Sequence, residues 1–305
     1  MTLATLFDAV TGAKRQPIAV REPSRRGGIA PLVRSRLALT GGAMLLLVLL
    51  AALLAPLLAR YDPMAVMAAD RLLSPSMAHP FGTDDFGRDI FSRVLYGARL
   101  SLAVGFLVVL FTTLAGAMIG LVAGYYRIWD NVLMRLMDGI MAFPAVLLAT
   151  AIMAALGPRV SNVVIALAAA YMPRLARVVR AQVLVLREMA YVEAAVAQGA
   201  PDRLVLVRHI LPNCLSPVIV QATVTFAYAV LTEAALSFLG VGAPPDIPSW
   251  GNILSDGRNF LTQAPWMTLF PGVAIMVTVL GLNLFGDGLR DALDPHSGEG
   301  IRRKG

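Results

Sequence analysis

Three histidines, one cysteine and two lysines restrict the chemistry open to this 305-residue chain. His79, His209 and His296 stand far apart, and none has a second ligand at the spacing a metal site uses. None lies within a long uncharged run, where it could activate a serine for hydrolysis inside a membrane. A phosphate-cradling loop ends in Gly-Lys-Ser/Thr. Lys14 follows Ala13 and Lys304 follows Arg303, so that loop is missing and an ATPase activity of the chain's own is not expected. Cys214 is alone, which excludes an intramolecular disulfide. The expectation is a chain with no catalytic residue, no metal ligand and no cofactor.

The remaining candidates are charges in apolar surroundings. Glu233 interrupts a long apolar run, and an acid at such a place is costly and a functional suspect. A helix–helix hydrogen bond and a gate or pore contact are its two readings. Arg135 and Asp138 are three apart and can share a helix face, as a local pair or as part of a gate. Arg174, Arg177 and Arg180 recur every third residue and suit lipid headgroups or contact with another subunit. Asp84, Asp85, Arg88, Asp89 and Arg93 can brace the start of a helix, with Asp89 and Arg93 at i,i+4 spacing, or meet an external protein.

The elements that must position these groups are membrane helices. The chain is 57% hydrophobic and 15% charged, where a soluble domain carries nearer 25% charged residues. Mean hydropathy is +0.70. The net charge of +7 does not point to nucleic acid, because the basic residues lie between apolar runs and not in one aromatic-rich patch. A span needs about 20 apolar residues. Leu37–Ala59, Leu100–Gly124, Gly139–Pro158, Cys214–Thr232 (continuing past Glu233) and Asn259–Gly286 all qualify. Val160–Pro173 is short, but the stems of Arg174 and Arg177 can lengthen it. The apolar run at 37–59 exceeds that of a secretory signal and reads as an uncleaved anchor.

Six spans place both tails on one side, with 19 of the 26 basic residues in the segments on that side. The positive-inside rule makes that side the cytoplasm. The organisation expected is a tail at 1–36, an anchor helix at 37–59, an external segment at 60–98, a membrane core at 99–290 and a tail at 291–305. Residues 243–258 read as an irregular loop or short re-entrant element.

The loop at 190–212 belongs to YVEAAVAQGAPDRLVLVRHILPN, residues 191–213. Tyr191–Gln198 favours a helix, which Gly199 can end with positive φ. Pro201 and Asp202 restart a helix, and Pro212 suits an early position in the next. By composition alone this is an amphipathic connector lying on the membrane. Its pattern resembles the EAA loop of bacterial ABC importer permeases: Glu-Ala-Ala, three residues, Gly, nine residues, a hydrophobic residue, any residue, Leu-Pro. Glu193, Ala194, Ala195, Gly199, Leu211 and Pro212 fall on those places. His209 stands where the family usually has a hydrophobic residue, in a form typical of the peptide and nickel branch. HPFGTDDFGRDIFSRVLYGARLS at 79–101, together with 124–149, 233–242, 248–251 and 286–295, resembles the dipeptide/oligopeptide C-type permeases in the same order.

The resemblance implies an all-α, polytopic type I ABC importer transmembrane domain with about six spans, in a bacterial inner membrane. It implies a coupling role for Glu193, Ala194, Ala195, Gly199, His209, Leu211 and Pro212 against an ATPase subunit. The implied partners are a homologous second permease, two ATP-binding cassette subunits, an external solute-binding protein and the bilayer. It also lets Glu233 pair with the amine of a passing peptide. A secondary transporter or channel acting alone would need more midplane charges than the sequence holds, and a scaffold or sensor would need a signalling motif.

Overall fold

The computed structural model describes residues 35–293, so the expectations for 1–34, for His296 and for the tail beyond 293 lie outside the described residues. The described residues form helices and connecting turns with no strand. Five helices are long and apolar enough to cross a membrane, and a bent pair makes up to six spans.

The first span is α1 (Arg36–Leu53), capped by the Ser35 hydroxyl and followed after Leu54 by α2 (Ala55–Leu58), which begins at a proline turn. α3 (Ile90–Tyr125) has 36 residues and begins ten residues before the expected span. Asp89 caps it, its carboxylate accepting from the Ser92 N–H at 2.8 Å. The expected segment 60–98 is thus already helical from Ile90. Arg93 hid this start by looking extramembranous, yet it is fully buried.

Arg93 does not pair with Asp89. It and Arg88 both bond to Asp84 and to Asp256, the Asp256 contacts each at 3.0 Å. Asp89 instead accepts from the His79 ring at 3.0 Å when Nδ1 carries the proton. Two cations and two anions form a neutral cluster, buried except at half-buried Asp256, that fastens the external segment to α10 (Trp250–Gly257), the short helix within the expected irregular loop. Burial of such charges is tolerable only with this degree of pairing. Trp250 adds a bond from its indole N–H to the Val94 carbonyl at 3.0 Å.

The expected span Gly139–Pro158 is not one helix. α4 (Arg127–Met141) and α5 (Ala145–Leu156) meet at 90°. Pro144 precedes α5 with extended ψ, and a proline lacks the N–H needed to carry a helix through. α6 (Val160–Leu186) removes the doubt about the short fourth run, because it extends well past Arg174 to 27 residues. α9 (Leu211–Phe238) lies at the centre, touching α3, α6, α10 and the last span, α11 (Trp266–Leu293). α11 starts seven residues later than expected and packs along α1.

The most extensive contact is α3 on α6. Gly116, Gly120 and Gly124 form its seam. A Cβ on Gly120 would lie 2.5 Å from the Ala176 carbonyl oxygen, and one on Gly124 2.6 Å from the Val183 Cβ. Membrane helices gain little from apolar burial against lipid and rely on such close backbone approach.

Candidate functional site

The loop joining α6 to α9 starts with α7 (Ala190–Ala197), an eight-residue helix entered through extended Met189. One side chain anchors it: Val192 is 2% exposed and packs with Val183, Val205, Ile210 and Cys214. Its other face is open. Tyr191, Glu193, Ala194 and Val196 are exposed and Ala195 is half-buried. The Glu193 carboxylate has no hydrogen-bond or ion-pair partner among the described residues. Partial burial, with the Cys214 thiol next, pushes the Tyr191 hydroxyl above its ordinary value, and this hydroxyl accepts from the Asn213 side-chain amide of α9 at 3.4 Å.

Gly199 ends α7 with φ +82°. The Gly199 N–H bonds to the Val196 carbonyl at 2.9 Å and the Ala200 N–H reaches the Ala195 carbonyl at 3.1 Å. This pair of bonds is the Schellman arrangement, in which the residue after the last turn must be left-handed. Ala200 then packs against the cluster holding Val192.

Pro201 precedes α8 (Asp202–Leu204), which passes into a wider π turn over Val205–Ile210 and on into α9. Pro212 has no N–H to close an ordinary turn there, and the Leu211 N–H bonds back to the Leu206 carbonyl. The Asn213 side chain donates to the His209 carbonyl at 2.7 Å. π turns concentrate at functional positions. The His209 ring is half-buried, 6.3 Å from the Tyr191 ring, which links the turn to α7. Leu211 is half-buried and Pro212 exposed.

Two bonds tie this loop to the end of α3. The Tyr125 hydroxyl at the end of α3 donates to Asp202 at 2.9 Å, and Arg187 donates to the Gly124 carbonyl at 3.1 Å. Neither was visible in the sequence, since both partners are more than sixty residues away. Val192 was also missed. Its signal was weak: an apolar residue one place before Glu193, on a short helix with apolar residues on several faces.

The two gate candidates do not join this loop. Glu233 is 0% exposed in α9 and accepts from the Ser101 hydroxyl of α3 at 2.8 Å and the Ser237 hydroxyl at 2.9 Å. A carboxylate enclosed within one subunit does not line a pore in this conformation. It ties α9 to α3, the helix–helix hydrogen bond among the readings of this residue. Asp138 is exposed, but its partner is Arg177 of α6 at 2.5 Å, not Arg135. Asp130 likewise holds Arg180 through two bonds. Arg177 and Arg180 thus pair α6 with α4. Among the described residues no three His, Cys, Asp or Glu side chains are grouped to hold a metal.

The chemistry this arrangement offers is docking. It presents a rigidly terminated short helix with small and polar residues outward, seated on the ends of α3, α6 and α9. Residues 114–298 match the family described as the binding-protein-dependent transport system inner membrane component. Residues 29–75 match the N-terminal transmembrane domain of oligopeptide transport permease C. The chain is 53% identical over 264 residues to a protein named as a peptide transport system permease in Brucella suis, covering 87% of this chain and 89% of that one. It is 49% identical over 271 residues to the dipeptide transport system permease protein DppC of Alkalihalophilus pseudofirmus, covering 88% and 89%. It is 45% identical over 265 residues to the glutathione transport system permease protein GsiD of Pectobacterium atrosepticum, covering 86% and 88%.

Proposed function

This chain belongs to the binding-protein-dependent transport inner-membrane components, the membrane subunits of ABC importers, and on that premise we propose that it forms half of a translocation pore for short peptides. The other half is a homologous second permease. Two ATPase subunits supply the energy, and an external solute-binding protein delivers the peptide. The chain performs no catalysis and needs no cofactor of its own. Both termini lie in the cytoplasm, which the distribution of basic residues supports. The peptide substrate is supported by the named relatives.

The observation that carries the coupling role is the exposed face of α7 against its single buried anchor, Val192. Glu193, Ala194 and Ala195 face the ATPase cleft, with small side chains that allow close approach. Gly199 fixes the end of this helix, and His209, Leu211 and Pro212 shape the turn through which its displacement reaches α9. An ATPase can shift the pore between outward and inward access only through contacts that differ between its own two states. A short helix packed through Val192 on Val183 of α6 and Cys214 of α9, in a loop bonded to the end of α3, satisfies that requirement.

Reconstitution tests the proposal. Proteoliposomes holding both permeases and both ATPase subunits should accumulate a labelled tripeptide only with ATP and binding protein present. The chain alone should transport nothing and hydrolyse no ATP. Uptake by the chain alone, down a gradient and without nucleotide, would establish the rival class of an independent carrier.

A further inference from the structure

Arg174, Arg177 and Arg180 repeat every third residue, but only two of them are neutralised. Arg177 has Asp138 and Arg180 has Asp130. Arg174, one turn further into the bundle, is exposed and has no acidic partner or hydrogen bond among the described residues. Its guanidinium carbon instead lies 5.7 Å from the centre of the Tyr171 ring and 5.7 Å from that of Tyr228 on α9.

Its depth matters. α6 runs from Val160 to Leu186, where the coupling loop begins. At 1.5 Å per residue Arg174 lies about 18 Å from the loop end and about 21 Å from the other. Tyr228 lies about 26 Å from Leu211 and about 15 Å from Phe238 on the antiparallel α9. Side chains on a helix lean toward its N-terminus, and the position over Tyr171 agrees. The cation is therefore aimed into the middle of the spans, away from the loop end. Headgroup anchoring, the sequence-based expectation for Arg174, would need the opposite direction.

The two rings make a shallow polar wall beside the cation. Tyr171 is buried and its hydroxyl is fixed against the Thr232 hydroxyl at 2.6 Å, while Tyr228 is 47% exposed and its hydroxyl has no partner among the described residues. An unpaired guanidinium at mid-depth is too costly to face lipid and belongs in a wet or liganded space. Its fork of donors matches a carboxylate.

Resting on the peptide-import reading above, we propose that Arg174, with Tyr171 and Tyr228, holds the C-terminal carboxylate of the peptide in transit. A pathway that must pass many sequences can recognise only what all share, and every unmodified peptide carries that carboxylate. Tyrosine faces accommodate varied side chains with little loss of conformational freedom.

The complete complex in proteoliposomes provides the test, with tri-alanine and tri-alanine amide as probes at concentrations saturating the binding protein. The binding protein is unchanged between variants, so its own preference cancels when each variant is divided by the parent. R174Q should assemble with all partner subunits and lose roughly tenfold in tri-alanine uptake, as expected for a charge-assisted pair. It should lose less than about twofold with the amide, and R174K, which keeps the charge but forfeits the fork and the stacking, should fall between the parent and R174Q with tri-alanine and stay near the parent with the amide. Equal loss of the two peptides, or loss of a permease partner on purification, would assign Arg174 to an acid of the second permease and overturn the proposal. Unchanged tri-alanine uptake would also overturn it. A parent complex that imports neither peptide fails earlier, at the peptide-import reading itself.

Discussion

Replacing Gly199 with valine isolates backbone strain from crowding. A Cβ at Gly199 meets nothing within 4 Å, so no clash confounds the result. The φ of +82° is the whole problem. A β-branched residue held there costs on the order of 1–3 kcal/mol. Against this stands the single anchor of α7: full burial of one valine contributes roughly 1.5–3 kcal/mol. The two are of equal size, so the chain relieves the strain by lifting α7 while the spans stay folded. A cost of about 2 kcal/mol shifts the ratio of seated to lifted helix roughly thirtyfold. Gly199→Val should therefore reach the membrane at parental level, lose most co-purifying ATPase and abolish ATP-driven uptake. Gly199→Asn, which tolerates the left-handed region, should keep most of both. If the valine variant assembles and transports like the parent, or if the asparagine variant is equally defective, the left-handed turn is not what holds the docking helix.

Three other perturbations probe the groups around the spans. Arg93→Met strips Asp84 and Asp256 of a shared buried cation and should cost about 3–5 kcal/mol, seen as low membrane levels and an early melt in detergent. Glu233→Leu orphans the Ser101 and Ser237 hydroxyls at about 1–3 kcal/mol, and Glu233→Gln should recover most of the melting temperature. Burial first, and the Asp84 carboxylate next, hold the Asp85 carboxyl above its ordinary value of 3.8. The folded chain thus binds this proton more tightly than the unfolded one. Its favourable contribution is complete below the unfolded value and disappears as pH rises through the folded value. Asp85→Asn should accordingly raise the melting temperature at pH 7 and do so less at pH 4; an equal gain at both would contradict this assignment.

Apolar runs made four of the five long spans readable, because a helix exposed to lipid has no polar face to blur its length; the fifth, α6, showed only as the short run Val160–Pro173. Pro144 sits inside an equally apolar run, and only three dimensions reveal that it turns the chain through 90°. The start of α3 was misread for a different reason. Arg93 looks like an extramembrane residue until Asp256, 163 positions away, supplies its counter-charge. Local pairing rules likewise joined Asp138 to Arg135, whereas helix packing delivers Arg177. Gly199 was legible, since a glycine following a helical stretch has one common conformation. Val192 was not, because nothing in the local pattern distinguishes an anchoring valine from an exposed one such as Val196.

The glycine seam between α3 and α6 has a mechanical meaning. Most helix contacts are cushioned by side chains that can hop between rotamers, and each hop absorbs some displacement. At Gly116, Gly120 and Gly124 there is nothing to hop: backbone rests directly on backbone or on the root of a side chain. The joint has no backlash. Leu175, Val179 and Val183, which face these glycines from α6, belong to the same cluster as Val192. On the proposed coupling role, a push arriving at α7 would meet a doubled beam, stiff over its loop-side half, and would be spent at the far ends of the spans, where side chains pad the contact.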